Sequence, residues 1–271
     1  IDDFFLRIYP DREINVDREK AYIKLKTIEL IDSKNFNIPL LTRKDIKIVE
    51  KVYKESLRVS DIGHCYTGEV DLSIDKKYLS ENTNDSKLIK GAIVDKYKIR
   101  KSMSQGEIKH LNSKRYLGER TGTKTTHHKK ERIVMQAITG VNENIRLKMT
   151  ILSKNIFCAN SVNYLHLLDN SLSPYYVLSL LNSSFLNYLF SKFSTNSNVN
   201  GYEIDNLPIK KITTEDQGSF IDITSQILNF KEKDSQAVTT ELEQKIDTMV
   251  YELYDLTPEE IKVVEGGRDS Q

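Results

Sequence analysis

"SPYYVLSLLNSSFLNYLFSKFSTNSNVNGYEIDNLPIKKI", residues 173–212, sets the plan of the chain. Ser173 ahead of Pro174 is a helix start: serine caps, and proline fits the first helical position, where its missing N–H costs nothing. Val177, Leu178, Leu181, Phe185, Tyr188 and Leu189 form a wide apolar stripe, and Leu180, Leu186 and Phe190 widen it further. The spacing predicts one mostly buried helix. A polar run from Ser194 to Asn200 follows, then "GYEIDNLPI", which reads as a strand closed by proline. A loop of that composition suits a flexible or ligand-facing element.

Outward from this stretch the pattern changes on both sides. Residues 22–31, "YIKLKTIELI", alternate as a strand, and Thr42 caps a helix with Ile46, Val49, Val52 and Tyr53 on one face. Short strands separated by Gly63 and Gly68 occupy Arg58 to Ile74. Residues 80–132 are polar and basic, suited to short strands with long loops. "RIVMQAITG" (132–140) reads as a buried strand, and "MTILSKNIFCANSVNYLHLL" (149–168) as two strands around a Ser-Lys-Asn turn. Downstream, helices at about 216–233 and 237–254 carry the stripes Phe220/Ile223/Ile227/Phe230 and Val238/Leu242/Ile246/Met249/Leu253. Their short link predicts an antiparallel hairpin. Thr257-Pro258-Glu259-Glu260 opens a last helix that Gly266-Gly267 ends. The expected fold class is α+β, a strand-rich lobe followed by a helical lobe. The divisions fall at 1–57 (a strand plus helix joining a preceding domain), 58–212 (the strand-rich unit) and 213–271 (the helical hairpin and tail).

The 271 residues are 38% hydrophobic and 29% charged, with a net charge of +1. That near-neutral total hides an asymmetry. Lys87 to Arg132 holds 14 Lys and Arg against 4 Asp and Glu, and the remainder holds 26 against 35. A basic segment in an acidic chain is the footprint of a polyanion-binding face, unless its cations pair with the acidic tail. Cys65 and Cys158 lie far apart, and the greasiest run, Tyr175 to Phe190, is too short and polar to span a bilayer. These features predict a cytoplasmic protein with reduced thiols and no membrane partner.

Catalytic signatures are missing. The sequence has no phosphate-binding G-x-x-x-x-G-K-[ST] loop, no G-x-G-x-x-G after a strand and no G-x-S-x-G elbow. His127-His128 reads as an exposed basic loop rather than a metal site, and His64-Cys65 as packing rather than a nucleophile with its base. Asp61, Glu69 and Asp71 with Lys76 are the only carboxylates with a lysine that a nuclease could use.

Three stretches carry a family resemblance: "RIVMQAITGVNENIRLKMTILSKNIFCANSVNYLHLL", residues 173–212 quoted above, and "VYELYDLTPEEIKVVEG". Together they resemble the TaqI-like C-terminal specificity domain, which follows the catalytic half of adenine-specific DNA methyltransferases and of fused restriction-modification enzymes. The leucine-asparagine-serine helix with its "L-P-I" strand also resembles specificity subunits of type I systems. The resemblance runs from about Arg58 to Gly266. It implies target recognition on double-stranded DNA, in partnership with an upstream methyltransferase domain of the same polypeptide. That domain would bind S-adenosylmethionine. This chain carries neither the N-P-P-[YF] motif nor a glycine-rich cofactor loop, so no cofactor and no methyltransferase activity are expected of it.

On this reading Lys96, Lys98, Arg100, Lys101, Lys114, Arg115, Arg120, Lys124, Lys129, Lys130 and Arg132 hold phosphates. Gln136, Asn142 and Arg146 have the side chains that read base edges. The rival expectation is a protein-interaction module in which the acidic helical tail docks a partner and no DNA is read.

Overall fold

The computed structural model describes residues 3–6, 21–101, 110–140 and 145–266. Its centre is a four-stranded antiparallel sheet in the order Met149–Leu152, Arg132–Gln136, Val162–Leu167, Gly63–Thr67. Alternate residues of a strand point to opposite faces. Here Ile133, Met135, Met149 and Leu165 join the main core, while Val134, Leu152, Val162 and Tyr164 join a second cluster on the other side. Both faces are covered. That is why "RIVMQ" reads as a continuous apolar run rather than an alternation.

The main-core face is covered by helices. The helix expected from Pro174 is two: Pro174–Asn182 and Ser184–Phe193. Ser183 breaks it by taking an extended conformation (φ −66°, ψ 156°). Its hydroxyl donates to the Leu180 carbonyl at 2.7 Å and accepts from the Leu186 N–H at 3.2 Å. The Asp247 carboxylate then takes the Ser184 N–H at 2.7 Å, a favourable charge at a helix N-terminus. Helices Gly218–Lys233, Thr240–Leu253 and Pro258–Gly266 pack outside this pair, as does Arg43–Lys54, which opens with the Thr42/Asp45 capping box.

The other face carries a smaller lobe built on a sheet in the order Phe157–Cys158, Ser86–Ile89, His110–Leu111, Leu79–Ser80, with helix Ser113–Glu119. Two glycines make its attachment possible. A Cβ on Gly68 would stand 2.0 Å from the Ala159 carbonyl oxygen, and one on Gly91 2.2 Å from that of Ser161. Only a residue without a side chain lets the backbones pass so closely. The α+β class expected from sequence is therefore the observed one.

Three local expectations are corrected. Residues 22–31 are not one strand: strand Ala21–Lys24 gives way to helix Leu25–Ile31, because Thr27, Ile28 and Ile31 bury at helical spacing. "GYEID" is a helix, Gly201–Asp205, with Asn200 and Glu203 as its capping box. Only Pro208–Ile209 is strand, paired with Leu57–Arg58. In the C-terminal pair the stripes are rotated. Phe220, Thr224 and Ile227 bury while Phe230 is exposed. Ile246 and Val250 bury, Leu242 is half-buried, and Val238 sits in the link at 89% exposure.

Side-chain amides and carboxylates close the sheet's two edges. Asn182 accepts from the Met149 N–H (3.0 Å) and donates to its carbonyl (2.9 Å). Asn187 Oδ1 accepts from the N–H groups of Arg146 (3.1 Å) and Leu147 (2.8 Å). At the opposite edge Asp205 takes the Cys65 N–H at 2.8 Å. Asn182→Ala leaves the Met149 N–H buried without an acceptor and is expected to cost about 1–3 kcal/mol in urea unfolding. Ile246→Ala should cost about 2–5 kcal/mol. Val238→Ser should stay within about 0.5 kcal/mol.

Candidate nucleic-acid interface

The basic segment divides into cations bound within the fold and cations left outside. Arg132 is fully buried: Nη1 donates to Glu69 Oε1 at 2.8 Å, Nη2 to the Ile156 carbonyl, and its guanidinium lies 4.7 Å from the centre of the Tyr164 ring. Arg146 is buried on backbone carbonyls of the 194–198 loop. Gln136 is half-buried and spends its amide on the Val94 carbonyl at 2.7 Å. These three, expected at the surface, are interior fasteners: Arg132 and Gln136 lie on a strand whose two faces are both covered, and the Arg146 guanidinium turns inward to the 194–198 loop. Asn142 lies outside the described residues.

Five more cations hold local partners. Arg100 pairs with Asp95 (2.8 Å), Arg115 with Glu119 (3.0 Å) and Arg120 with Asp75. Lys96 reaches Glu243 at 2.6 Å, and Lys98 donates to the Ser235 carbonyl at 2.7 Å, so both fasten the lobe to the helical tail. For these two the pairing with the tail is the observed arrangement. Glu243 is thereby turned inward to Lys96 rather than outward.

Lys101, Lys114, Lys129 and Lys130 are exposed, and Lys124 is half-buried with Nζ 3.1 Å from the Thr67 carbonyl. The Asn155 N–H donates to the His128 carbonyl at 2.8 Å, which brings the exposed Lys154 of the Ser153–Asn155 turn beside Lys129 and Lys130. Lys154 lies outside the basic segment in sequence, so only the fold brings it to this surface. An open cleft of about 360 Å³ is lined by Lys124 with Thr121, Thr123, Thr125, Asp71 and Asp75.

His127 and His128 are buried, not an exposed loop. The His127 ring stacks on His166 at 4.0 Å and places Nδ1 3.0 Å from the Tyr164 hydroxyl; His128 stacks on Phe157 at 4.7 Å. Burial, reinforced by His166, Arg132 and Lys124, pulls the His127 pKa down to about 4, and burial lowers His128 and His166 as well. Short helix Lys124–His127 is thus a plug on the sheet, with Lys124 at its start and Lys129 and Lys130 just past its end.

No trio of His, Cys, Asp or Glu among the described residues could hold a metal. The nuclease carboxylates have separate duties: Asp61 takes the Arg58 N–H (2.6 Å), Glu69 pairs with Arg132, and Asp71 takes the Ser73 N–H (2.8 Å). His64 and Cys65 form no dyad. The Cys65 thiol is pushed up by burial, and His64 Nδ1 lies 3.9 Å from Asp205. No helix among the described residues is long and apolar enough to cross a membrane.

A covered antiparallel sheet bearing a basic-looped lobe on one side and helices on the other is the arrangement to be matched. Residues 86–209 match the TaqI-like C-terminal specificity domain, which bears out the resemblance drawn from the sequence. The match includes much of the basic middle and stops before the C-terminal helices. No curated protein matches the sequence. Among solved structures, the Type IIL restriction-modification enzyme MmeI in complex with DNA superposes with a TM-score of 0.52 at 10% identity, over 79% of this chain and 37% of that one. The HsdS subunit from Thermoanaerobacter tengcongensis gives 0.40 at 12% identity, over 78% and 51%. A type I restriction-modification assembly gives 0.41 at 13%, over 73% and 44%. The likeness to MmeI is one of fold. This chain spans about half or less of the length of each of these structures.

The buried imidazoles make stability depend on pH. Above pH 6.5 they are neutral in both states and contribute nothing. Between 6.5 and about 4 the unfolded chain takes up a proton that folded His127 refuses, so stability falls as the pH drops. His127→Phe, which keeps a stacking ring, should flatten this loss in urea titrations at several pH values. An identical pH dependence in the variant would contradict a neutral buried imidazole.

Proposed function

We propose that the chain recognises a target sequence in double-stranded DNA for a restriction-modification system. The observation that carries this reading is the specificity-domain match over 86–209, a span that includes the lysines that remain exposed. Lys114, Lys124, Lys129, Lys130 and Lys154 supply phosphate contacts. Such contacts give affinity and register without sequence information. The expected partner is a methyltransferase domain of the same polypeptide that modifies an extruded adenine.

S-adenosylmethionine belongs to that partner. The sequence motifs that would hold it, a glycine-rich cofactor loop and N-P-P-[YF], are not in this chain. Calorimetric titration of this chain with S-adenosylmethionine is expected to give no binding heat, and a micromolar one-site isotherm would overturn the division of labour. The protein-interaction reading loses support from the Lys96–Glu243 contact, which uses an acid of the tail inside the molecule.

Filter binding at several salt concentrations tests the main proposal. The double substitution Lys129→Ala and Lys130→Ala should weaken binding to all duplexes alike and lower the salt slope by about two units. A wild-type slope in the variant would mean that this surface is merely solvated.

A further inference from the structure

The segment Ser194–Asn200 looks like a linker, yet it is among the most firmly anchored loops in the described structure. Arg146 Nη1 donates to the Ser194 carbonyl (2.8 Å), and Nη2 to those of Asn196 (2.6 Å) and Asn198 (3.2 Å). The same guanidinium lies over the Phe190 ring at 5.1 Å. The Thr139 N–H takes the Ser197 carbonyl at 2.8 Å, the Val199 N–H reaches the Ala137 carbonyl at 2.9 Å, and the Asn163 amide holds the Val199 carbonyl at 2.6 Å. Every carbonyl from Asn196 to Val199 is thereby engaged, and the Asn198 N–H donates to Asn196 Oδ1 at 2.8 Å.

With the backbone spent inward, the side chains of Thr195, Asn196, Ser197 and Asn198 are what solvent meets. Ile138, bridged to Asn198, stands beside them at 63% exposure. From Ser194 to Tyr202 there is no charged residue. Burying a guanidinium to fix a loop carries a desolvation cost that a simple connection does not require. The presented chemistry is amide and hydroxyl groups with one isolated aliphatic. That is a poor protein hot spot, where Trp, Tyr and Arg dominate. It suits base edges, which Asn reads by paired hydrogen bonds and which offer a methyl group on thymine. A cation stands at the same end of the sheet: Lys124 reaches Thr67, Thr67 pairs with Asn163, and Asn163 holds Val199.

We infer that the tip Thr195–Asn198, with Ile138, is a base-reading element for duplex DNA, and that Arg146 is its positioning residue. This rests on the DNA-recognition reading above and replaces the base readers expected from sequence with residues that face outward.

Selection from a randomised duplex pool tests it. Asn198 contributes only backbone atoms to the anchoring described, so Asn198→Ala leaves the loop held. The wild-type chain should enrich a motif. Asn198→Ala and Ile138→Ala should each lose preference at one or more of its base pairs, on the order of tenfold for the asparagine. Affinity for unselected duplex and the salt slope should stay as in the wild type. If both variants enrich the wild-type motif unchanged, the loop reads nothing and this inference fails while DNA recognition stands. If the wild-type chain enriches no motif, the recognition reading fails and takes the inference with it.

Discussion

The fold depends on ending a sheet without leaving its edges open. An edge strand presents unpaired N–H and C=O groups that invite pairing with another chain or must be covered. In this chain the covering groups are side chains delivered by neighbouring elements. Asn182 mimics a peptide group towards Met149, and Asn187 collects two successive N–H groups at Arg146 and Leu147. The Asp205 carboxylate does the same for Cys65 at the far edge. For these bonds to form, the interior helix must break at Ser183 so that both asparagines face the strand. The Ser183 cap and the Asp247 carboxylate at Ser184 secure that break. The helical tail therefore contributes to the sheet through Asp247, although it touches no strand backbone there.

Charge is organised by the same economy of partners. The buried Arg132–Glu69 pair leaves Glu69 Oε2 and Arg132 Nε without partners, so it is an imperfectly compensated ion pair. Replacing such a pair with apolar residues is often neutral for stability, whereas removing one partner costs about 3–5 kcal/mol. Its consequence here is positional: it ties Glu69, at the start of the outer lobe, to the central strand. Lys96 and Lys98 tie the lobe to the tail in turn. What remains outside is a short set of lysines on loops and short helices.

Much of the fold was legible because periodicity and capping are local. Ser173-Pro174, Thr42 with Asp45, the "RIVMQ" strand and the two C-terminal helices all stand where their spacing put them. The strand readings of 22–31 and 201–209 failed for one physical cause, a short segment whose apolar residues satisfy two periods. "IKLKTIELI" alternates and also repeats at helical spacing, and burial of Thr27, Ile28 and Ile31 chose the helix. The candidate site was less legible. Composition counts cations but cannot say which are spent on Glu69, Asp75, Asp95 or Glu243. Asn182 stood in the sequence only as part of the leucine-asparagine-serine helix, since the strand that it pins lies over thirty residues upstream.

These constraints separate what must be kept from what is free to change. The asparagines, Asp205 and the glycines at 68 and 91 act on backbone atoms, so their roles do not depend on which side chains the outer loops carry. The exposed lysines and the tip Thr195–Asn198 act on solvent, and none of their side chains fastens the sheet. Arg146, itself buried, links the two groups, because its N–H closes the edge through Asn187 while its guanidinium holds the loop. One residue thus couples the sheet edge to the loop. A change at Arg146 should disturb stability and presentation together, whereas a change at Asn198 should disturb presentation alone.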